Sequence, residues 1–254
     1  MNILVIGDLV GQPAVRYAAD RIRELRARYA VDLVVVNAEN AAFDASAGTY
    51  GTDQATVDTL LAAGADVITG GNHTWDRTDA TMVLTNPRVL RPANVPAVWP
   101  GHGSVTLDVA GEPVTVVNLA HTDAISAATP LWAAWQAVDR QGTVVIDLHA
   151  MEPLTKRGFA LAVDGQAAAV IGTHTHEPSL ALDILPGGTA FVTEVGFTGP
   201  SGAAGGLAAE VVVGEIRGNR DPRAPTALAN GPMVLAAVLI TVSDGHATAI
   251  QRLI

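Results

Sequence analysis

Eight residues of this sequence could together do chemistry: Asp8, Glu39, Asn40, Asn72, His73, His149, His174 and His176. They are carboxylates, amides and imidazoles. The chain has no cysteine, which excludes thiolate zinc, iron–sulfur and cysteine-nucleophile chemistry and any disulfide framework. A metal would have to be held by His, carboxylate or amide groups. Two divalent cations would use such a set, because each needs several ligands and a shared carboxylate can bridge ions roughly 3.5–4 Å apart. His174 and His176 lie two apart, so in an extended segment both rings face one side and each could serve a different ion. Oxygen donors mixed with imidazole suit Mn, Fe, Co or Zn better than Ca or a thiophilic metal. Singly, each residue has an ordinary explanation. Asp8 could cap a helix, Asn72 could hold a left-handed backbone position, His149 could be a hydrogen-bonded core residue, and Glu39–Asn40 could be plain loop.

What sets them apart is where the chain must place them. Residues 2–7, 32–37 and 66–70 are short apolar runs that read as buried strands. Between them, 14–29 has a 3–4-residue apolar stripe, and 54–63 is a helix with Thr52 or Asp53 as cap and Gly64 as stop. This β-α-β-α-β order predicts a parallel sheet, whose ligands sit at the carboxyl ends of the strands. Further along, 104–109 and 113–119 read as a hairpin and 131–138 and 153–163 as helices. Residues 143–148, 168–172 and 189–193 read as strands, and 233–243 with 246–254 as a closing antiparallel pair. Residues 88–100, 199–206 and 217–232 read as loops. Asp8, Glu39–Asn40, Asn72–His73, His149 and His174/His176 each follow a predicted strand, so one rim collects them all. Asp147 is on the same side of its strand as His149 and could orient an imidazole. His102, His121 and His246 read as structural or surface residues.

Composition narrows the functional classes. The chain has 254 residues, 49% of them apolar and only 16% charged, which excludes intrinsic disorder. Its net charge of −10 makes it a poor binder of duplex nucleic acid. Five of the fifteen basic residues, between Arg16 and Arg28, read as the solvated face of a helix. No apolar run reaches the roughly 18–20 residues of a membrane span, and no basic segment precedes the first apolar run. A soluble cytoplasmic protein is expected, with one domain over 1–254 built from two packed sheets with helices outside. Apolar stretches at 127–135 and 197–209 could form a homo-oligomer contact.

The ordered strings IGDLVG (6–11), NAENAA (37–42), GNHTWD (71–76), RPAN (91–94), DLHAME (147–152), IGTHTH (171–176), ILPGGTA (184–190) and TEVGFTGP (193–200) resemble one known group. It is the YmdB-type bacterial branch of the calcineurin-like binuclear metallophosphoesterases. The usual superfamily opening of Asp-x-His is absent, since position 10 is Val10, and NAEN replaces the second box. The resemblance implies an α/β fold, a four-layer α/β/β/α sandwich with two central, mostly parallel or mixed sheets. It implies a binuclear metal-dependent phosphodiesterase acting on small phosphodiesters or nucleotides, with 2′,3′-cyclic nucleotides as the substrate class. Carried over, one ion would take Asp8, Glu39, Asn40 and His176. The other would take Glu39, Asn72, His149 and His174, with Mn or Fe preferred over Zn or Co. His73 would stay off the metals as the catalytic acid, and a metal-bridging hydroxide would attack phosphorus.

The loops 44–50 and 120–129, with Glu194 and Phe197, depart from the group's strings where substrate could touch. The alternative is a regulatory module that holds a metal-bound nucleotide with little turnover. A dinucleotide-binding fold is disfavoured because GDLVGQP lacks the G-x-G-x-x-G spacing, and a metallo-amidohydrolase because no eight-fold βα repeat is present.

Overall fold

The computed structural model describes residues 1–221 and 224–253. Positions 222 and 223 of the expected 217–232 loop, and 254 of the expected last strand, fall outside these. In chain order the elements are β1 (Asn2–Ile6), α1 (Gly11–Tyr29), β2 (Leu33–Asn37), α2 (Gln54–Ala63), β3 (Val67–Thr69), α3 (Ala80–Val83), β4 (Ser104–Val109) and β5 (Glu112–Ala120). There follow α4 (Leu131–Ala137), β6 (Thr143–His149), α5 (Pro153–Ala162), β7 (Ala169–Thr173), β8 (Leu182–Ile184) and β9 (Ala190–Val192). The last are β10 (Gly199–Pro200), α6 (Ala209–Ile216), β11 (Met233–Val234), β12 (Ala237–Ser243) and β13 (His246–Leu253).

Local chemistry accounts for the boundaries. Helix α1 begins three residues before the expected start, at Gly11, because Pro13 lies in the first turn, where a missing N–H is not needed. Helix α2 starts where the Asp53 carboxylate accepts from the Thr56 amide at 2.8 Å, and ends at Gly64 in the left-handed region. The expected strand 233–243 is two strands. Pro200 and Gly199 pair with Met233 and Val234 in a separate two-stranded ribbon, and the Ala236 amide turns to the Thr198 hydroxyl at 3.1 Å before β12 begins. Helix α6 and the short β8 have no counterpart among the sequence expectations. Of α6 only Val211 is buried, so its apolar stripe is too weak to read. Of the α1 arginines, Arg16, Arg23 and Arg28 are solvated as expected, whereas Arg21 and Arg26 are half-buried; Arg21 pairs with Glu24, Arg23 with Asp20 and Arg26 with Asp66.

The first sheet has the order β13-β12-β1-β2-β3, with β1, β2 and β3 parallel and the other pairs antiparallel. The second has the order β4-β5-β6-β7-β9-β8, with the β5-β6-β7-β9 run parallel. Alternation along the strands sorts the side chains into layers. Leu4, Ile6, Val34 and Val36 pack on Ala18 and Ile22 of α1 and on Leu60 of α2. Ile3, Val5, Leu33 and Val35 point the other way and meet Val116, Val145, Ile171 and Val192 of the second sheet. The far face of that sheet, with Val117, Leu119 and Ile146, packs on Trp135 of α4 and Phe159 of α5. The protein is therefore a four-layer α/β/β/α sandwich. Among the described residues, no helix is long and apolar enough to cross a membrane.

The layer between the sheets should dominate stability. Ile3→Ala, at a fully buried position, should cost about 2–5 kcal/mol in urea denaturation. Leu180→Ala, at a fully exposed one, should stay within about 0.5 kcal/mol.

Candidate metal centre

The parallel strands of both sheets deliver polar residues to one rim. Asp8 follows β1, and the segment 37–40 follows β2. That segment is pinned by backbone bonds from Leu9 to Asn37, from Gly11 to Asn40 and from Gly51 to Glu39. Asn72 and His73 follow β3, His149 ends β6, and His174 and His176 follow β7. Two groups of potential ligand atoms result, each lying within 4.8 Å of one another: Glu39, His149 and His174, and Asp8, Glu39 and His176. Glu39 belongs to both. Amide oxygens adjoin each group: Asn72 Oδ1 is 2.9 Å from His149 Nε2, and Asn40 Oδ1 is 3.2 Å from His176 Nε2. His73 is in neither group. Its ring lines the same cavity, of about 340 Å³, as Glu39, Asn40, His174 and His176.

The route to this arrangement differs in one respect from the spacing argument. The 174–176 segment is not extended. His174 and His176 have φ of 99° and 65°, in the left-handed region where non-glycine residues are strained. The two rings reach different groups because the backbone turns between them, not because a strand places them on one side. That turn is braced by a buried ion pair which sequence reasoning missed. Lys156 Nζ donates to Glu194 Oε2 and to the Thr173 carbonyl, both at 2.8 Å, and Glu194 also accepts from the Thr175 amide at 3.0 Å and hydroxyl at 2.8 Å. The signal was present: Lys156 is the chain's one lysine, and it is buried.

The ordinary explanations for Asp8 and Asn72 do not hold, whereas His149 is a buried, hydrogen-bonded residue as its ordinary reading expects. The N-cap of α1 is Val10 with no side-chain bond, so Asp8 caps nothing. Asn72 is not among the residues with positive φ. Asp147 orients an imidazole, as its place on the His149 side of β6 suggests, but through a hydroxyl and not by direct contact. Its carboxylate accepts from the Thr173 hydroxyl at 2.6 Å, and that hydroxyl lies 3.0 Å from His149 Nδ1. Because Thr173 gives its proton to Asp147, its oxygen accepts the Nδ1 proton, and Nε2 faces the cluster. His176 is oriented in the same manner, with Nδ1 at 3.0 Å from the Gly205 carbonyl. His73 Nδ1 is 2.7 Å from Asp76, and its ring lies against Tyr50 with centroids 4.4 Å apart.

Electrostatics follow from burial. Asp8 and Glu39 are both removed from water. Burial raises the Asp8 carboxyl to about 7, against the lowering effect of His176. Burial also opposes Glu39 ionisation, but the charge and hydrogen bond of His149 outweigh it and hold Glu39 at about 2. Burial disfavours the His149 cation too, yet Glu39 raises it to about 9. His174 falls to about 4, first by burial and then by the positive charge of His149. Without a metal, the centre is thus a Glu39–His149 ion pair beside a neutral His174.

The residues fit a pair of cations. Asp8 Oδ1 is buried with no hydrogen-bond partner, and a side chain at Gly71 would fill the space between Glu39 Oε2, 2.1 Å from its Cβ, and His149 Nε2, 2.3 Å from it. The donor set has no thiolate and mixes oxygen with imidazole, as hard to borderline divalent ions require.

The sequence pattern of the family described as "YmdB-like protein" matches residues 4–253. The chain belongs to the YmdB-like family. One relative in Bacillus subtilis (strain 168), a 2′,3′-cyclic-nucleotide 2′-phosphodiesterase, is 33% identical over 259 residues, covering 99% of this chain and 95% of that one. A hypothetical protein from Thermus thermophilus has a crystal structure that superposes with a TM-score of 0.90 at 32% identity, covering 100% of this chain and 98% of the other. A phosphatase from Mycoplasma pneumoniae shares the fold at 24% identity, with a TM-score of 0.90 over 100% of this YmdB-like chain and 92% of the other.

The pKa shifts set a pH dependence for the chelated protein. A His raised from 6.5 to about 9 stabilises the fold fully below 6.5 and loses that contribution as pH rises to 9. An Asp raised from 3.8 to about 7 makes folding less favourable as pH rises through that window. Thermal stability in EDTA should therefore fall between pH 6 and 9, with His149 contributing about 3 kcal/mol. His149→Gln should flatten the upper half of the decline, as read by melting curves across pH.

Proposed function

We propose that this chain is a binuclear metal-dependent phosphoric diester hydrolase acting on cyclic nucleotides, with 2′,3′-cyclic nucleotides as the substrate class. The observation that carries this reading is the pair of donor groups sharing Glu39 in one cavity with an imidazole, His73, that belongs to neither. The substrate class is supported by the Bacillus subtilis relative, which matches over nearly the whole of both chains.

In this reading Asp8, Glu39, Asn40 and His176 hold one cation, and Glu39, Asn72, His149 and His174 hold the other. Manganese or iron suits these mixed donors best. When bound, such a pair supplies positive charge against the phosphate and lowers the pKa of a water in the site.

The chain's own residues do the rest. The Thr173 hydroxyl and the Gly205 carbonyl each take an Nδ1 proton, from His149 and His176, and leave both Nε2 lone pairs directed inward. The His73 amide donates to Glu39 Oε2 at 3.2 Å and fixes the shared carboxylate. Hydrolysis adds the hydroxyl of water at phosphorus, breaks one ring P–O bond and leaves a proton to be placed on the ribose oxygen. His73 places it from Nε2, while Asp76, 2.7 Å from Nδ1, fixes the orientation of the ring. Tyr50 packs on one side of that ring and limits its swing. A poised acid of this kind favours turnover over a purely regulatory nucleotide holder.

Manganese-loaded protein should contain two ions per chain by elemental analysis and open 2′,3′-cyclic nucleotides, with activity abolished by EDTA. Activity that survives full chelation would contradict the proposal. His73→Ala should retain both ions and lose about 10²–10⁴ in kcat. Loss of metal in that variant would move His73 among the ligands. Thr173→Val should weaken metal affinity by about 10–100-fold.

A further inference from the structure

A second cavity, of about 510 Å³, opens beside the cluster. Its walls are Trp75, Trp99, Pro100 and Ile125, and its polar edge is formed by Asn72 and Asp76. The two indole rings meet edge to face, with centroids 4.6 Å apart. Trp75 is fixed by its Nε1–H, which donates to the Pro100 carbonyl at 3.4 Å, and both rings rest on the small apolar group of Val95, Ala120, Ile125 and Ala128. Both tryptophans remain partly accessible, so aromatic surface is left facing the cavity. Resting on the phosphodiesterase reading, we propose that this cavity takes the nucleobase of the cyclic nucleotide whose phosphate lies at the carboxylate–imidazole cluster.

Three observations carry the proposal. First, the cavity is continuous with the chemistry through two side chains. Asn72 lines it while its Oδ1 meets His149 Nε2, and Asp76 lines it while its carboxylate holds His73 Nδ1. An occupant here would lie beside the two residues that contact His149 and His73. Second, the walls are indole and aliphatic surface. Such surface binds a flat π-system with little regard to sequence, because every base has a π-face. Third, the Asp76 carboxylate at the edge repels an anionic occupant, so a neutral ring is favoured there over a second phosphate. The volume lies within the ordinary range for small-molecule sites.

The test compares adenosine 2′,3′-cyclic monophosphate with base-less ribose 2′,3′-cyclic phosphate on the manganese-loaded protein. Trp99→Ala should raise KM for the adenosine ester about tenfold with kcat little changed, and leave the base-less ester unaffected. Trp99→Phe should restore most of the difference, which separates stacking from a general loosening of the loop. Equal effects on both esters, or none on either, would overturn the base pocket. Calorimetric binding of the same two compounds reads the pocket without turnover: tighter binding of the adenosine compound, lost in Trp99→Ala, is expected. A wild type that binds in this way but hydrolyses neither ester would sink the hydrolase reading and keep the pocket. A wild type that hydrolyses both with the same KM, unaltered by Trp99→Ala, would do the reverse.

Discussion

Two carboxylates, Asp8 and Glu39, are buried side by side at the ends of adjacent parallel strands. Moving ionised groups out of water costs several kcal/mol each unless they are paired or hold a cation. Among the described residues, no Lys or Arg pairs with these two carboxylates; the chain's one lysine is committed to Glu194. Compensation comes instead from imidazoles. His149 takes up a proton and pairs with Glu39, and His174 and His176 each stand by with a ring nitrogen near the same carboxylates. Asp8 Oδ1 is left with no hydrogen-bond partner among the described residues. A site of this kind is unsatisfied as it stands, and that deficit is what the surrounding structure is arranged to hold open.

Holding it open depends on the seam between the two sheets. Asp147 accepts from Thr69 and from Asn37 at 3.1 Å on the first sheet, and from Thr173 at 2.6 Å on the second. Asn118 of the second sheet accepts from the Gly70 amide at 3.2 Å. These buried polar contacts lie directly beneath the cluster and fix the offset of one sheet on the other, which apolar packing alone leaves comparatively free. The Lys156–Glu194 pair then holds the strained turn at 174–176 against the same framework. The site is a property of the interface between sheets, and neither sheet carries it alone.

Much of this was legible in the sequence, for a reason specific to parallel sheets. Strands that run the same way put their carboxyl ends at one rim whatever their separation along the chain, so short apolar runs followed by Asp8, Glu39, His149 or His174 announce a cluster before any distance is known. The caps of α2 were equally plain, because Asp53 and Gly64 act through local backbone chemistry. What was not legible depends on three dimensions. The left-handed backbone of His174 and His176 is imposed by the brace behind it, and no pattern in GTHTH signals it. The Asp147–Thr173–His149 relay crosses from β6 to β7 and back, so the sequence shows Asp147 on the side of His149 but not the Thr173 hydroxyl between them. Helix α6 lies in a stretch flanked by Gly, Pro and Asn and buries little, so periodicity had nothing to register.

The proposed chemistry turns on Glu39 being shared between two cations. Anomalous diffraction from crystals loaded with manganese tests it most directly. Two anomalous peaks should stand roughly 3.5–4 Å apart, one beside Asp8 and His176, the other beside His149 and His174, with the Glu39 carboxylate between them. A single peak, or a pair bound elsewhere with Glu39 still paired to His149, would contradict it.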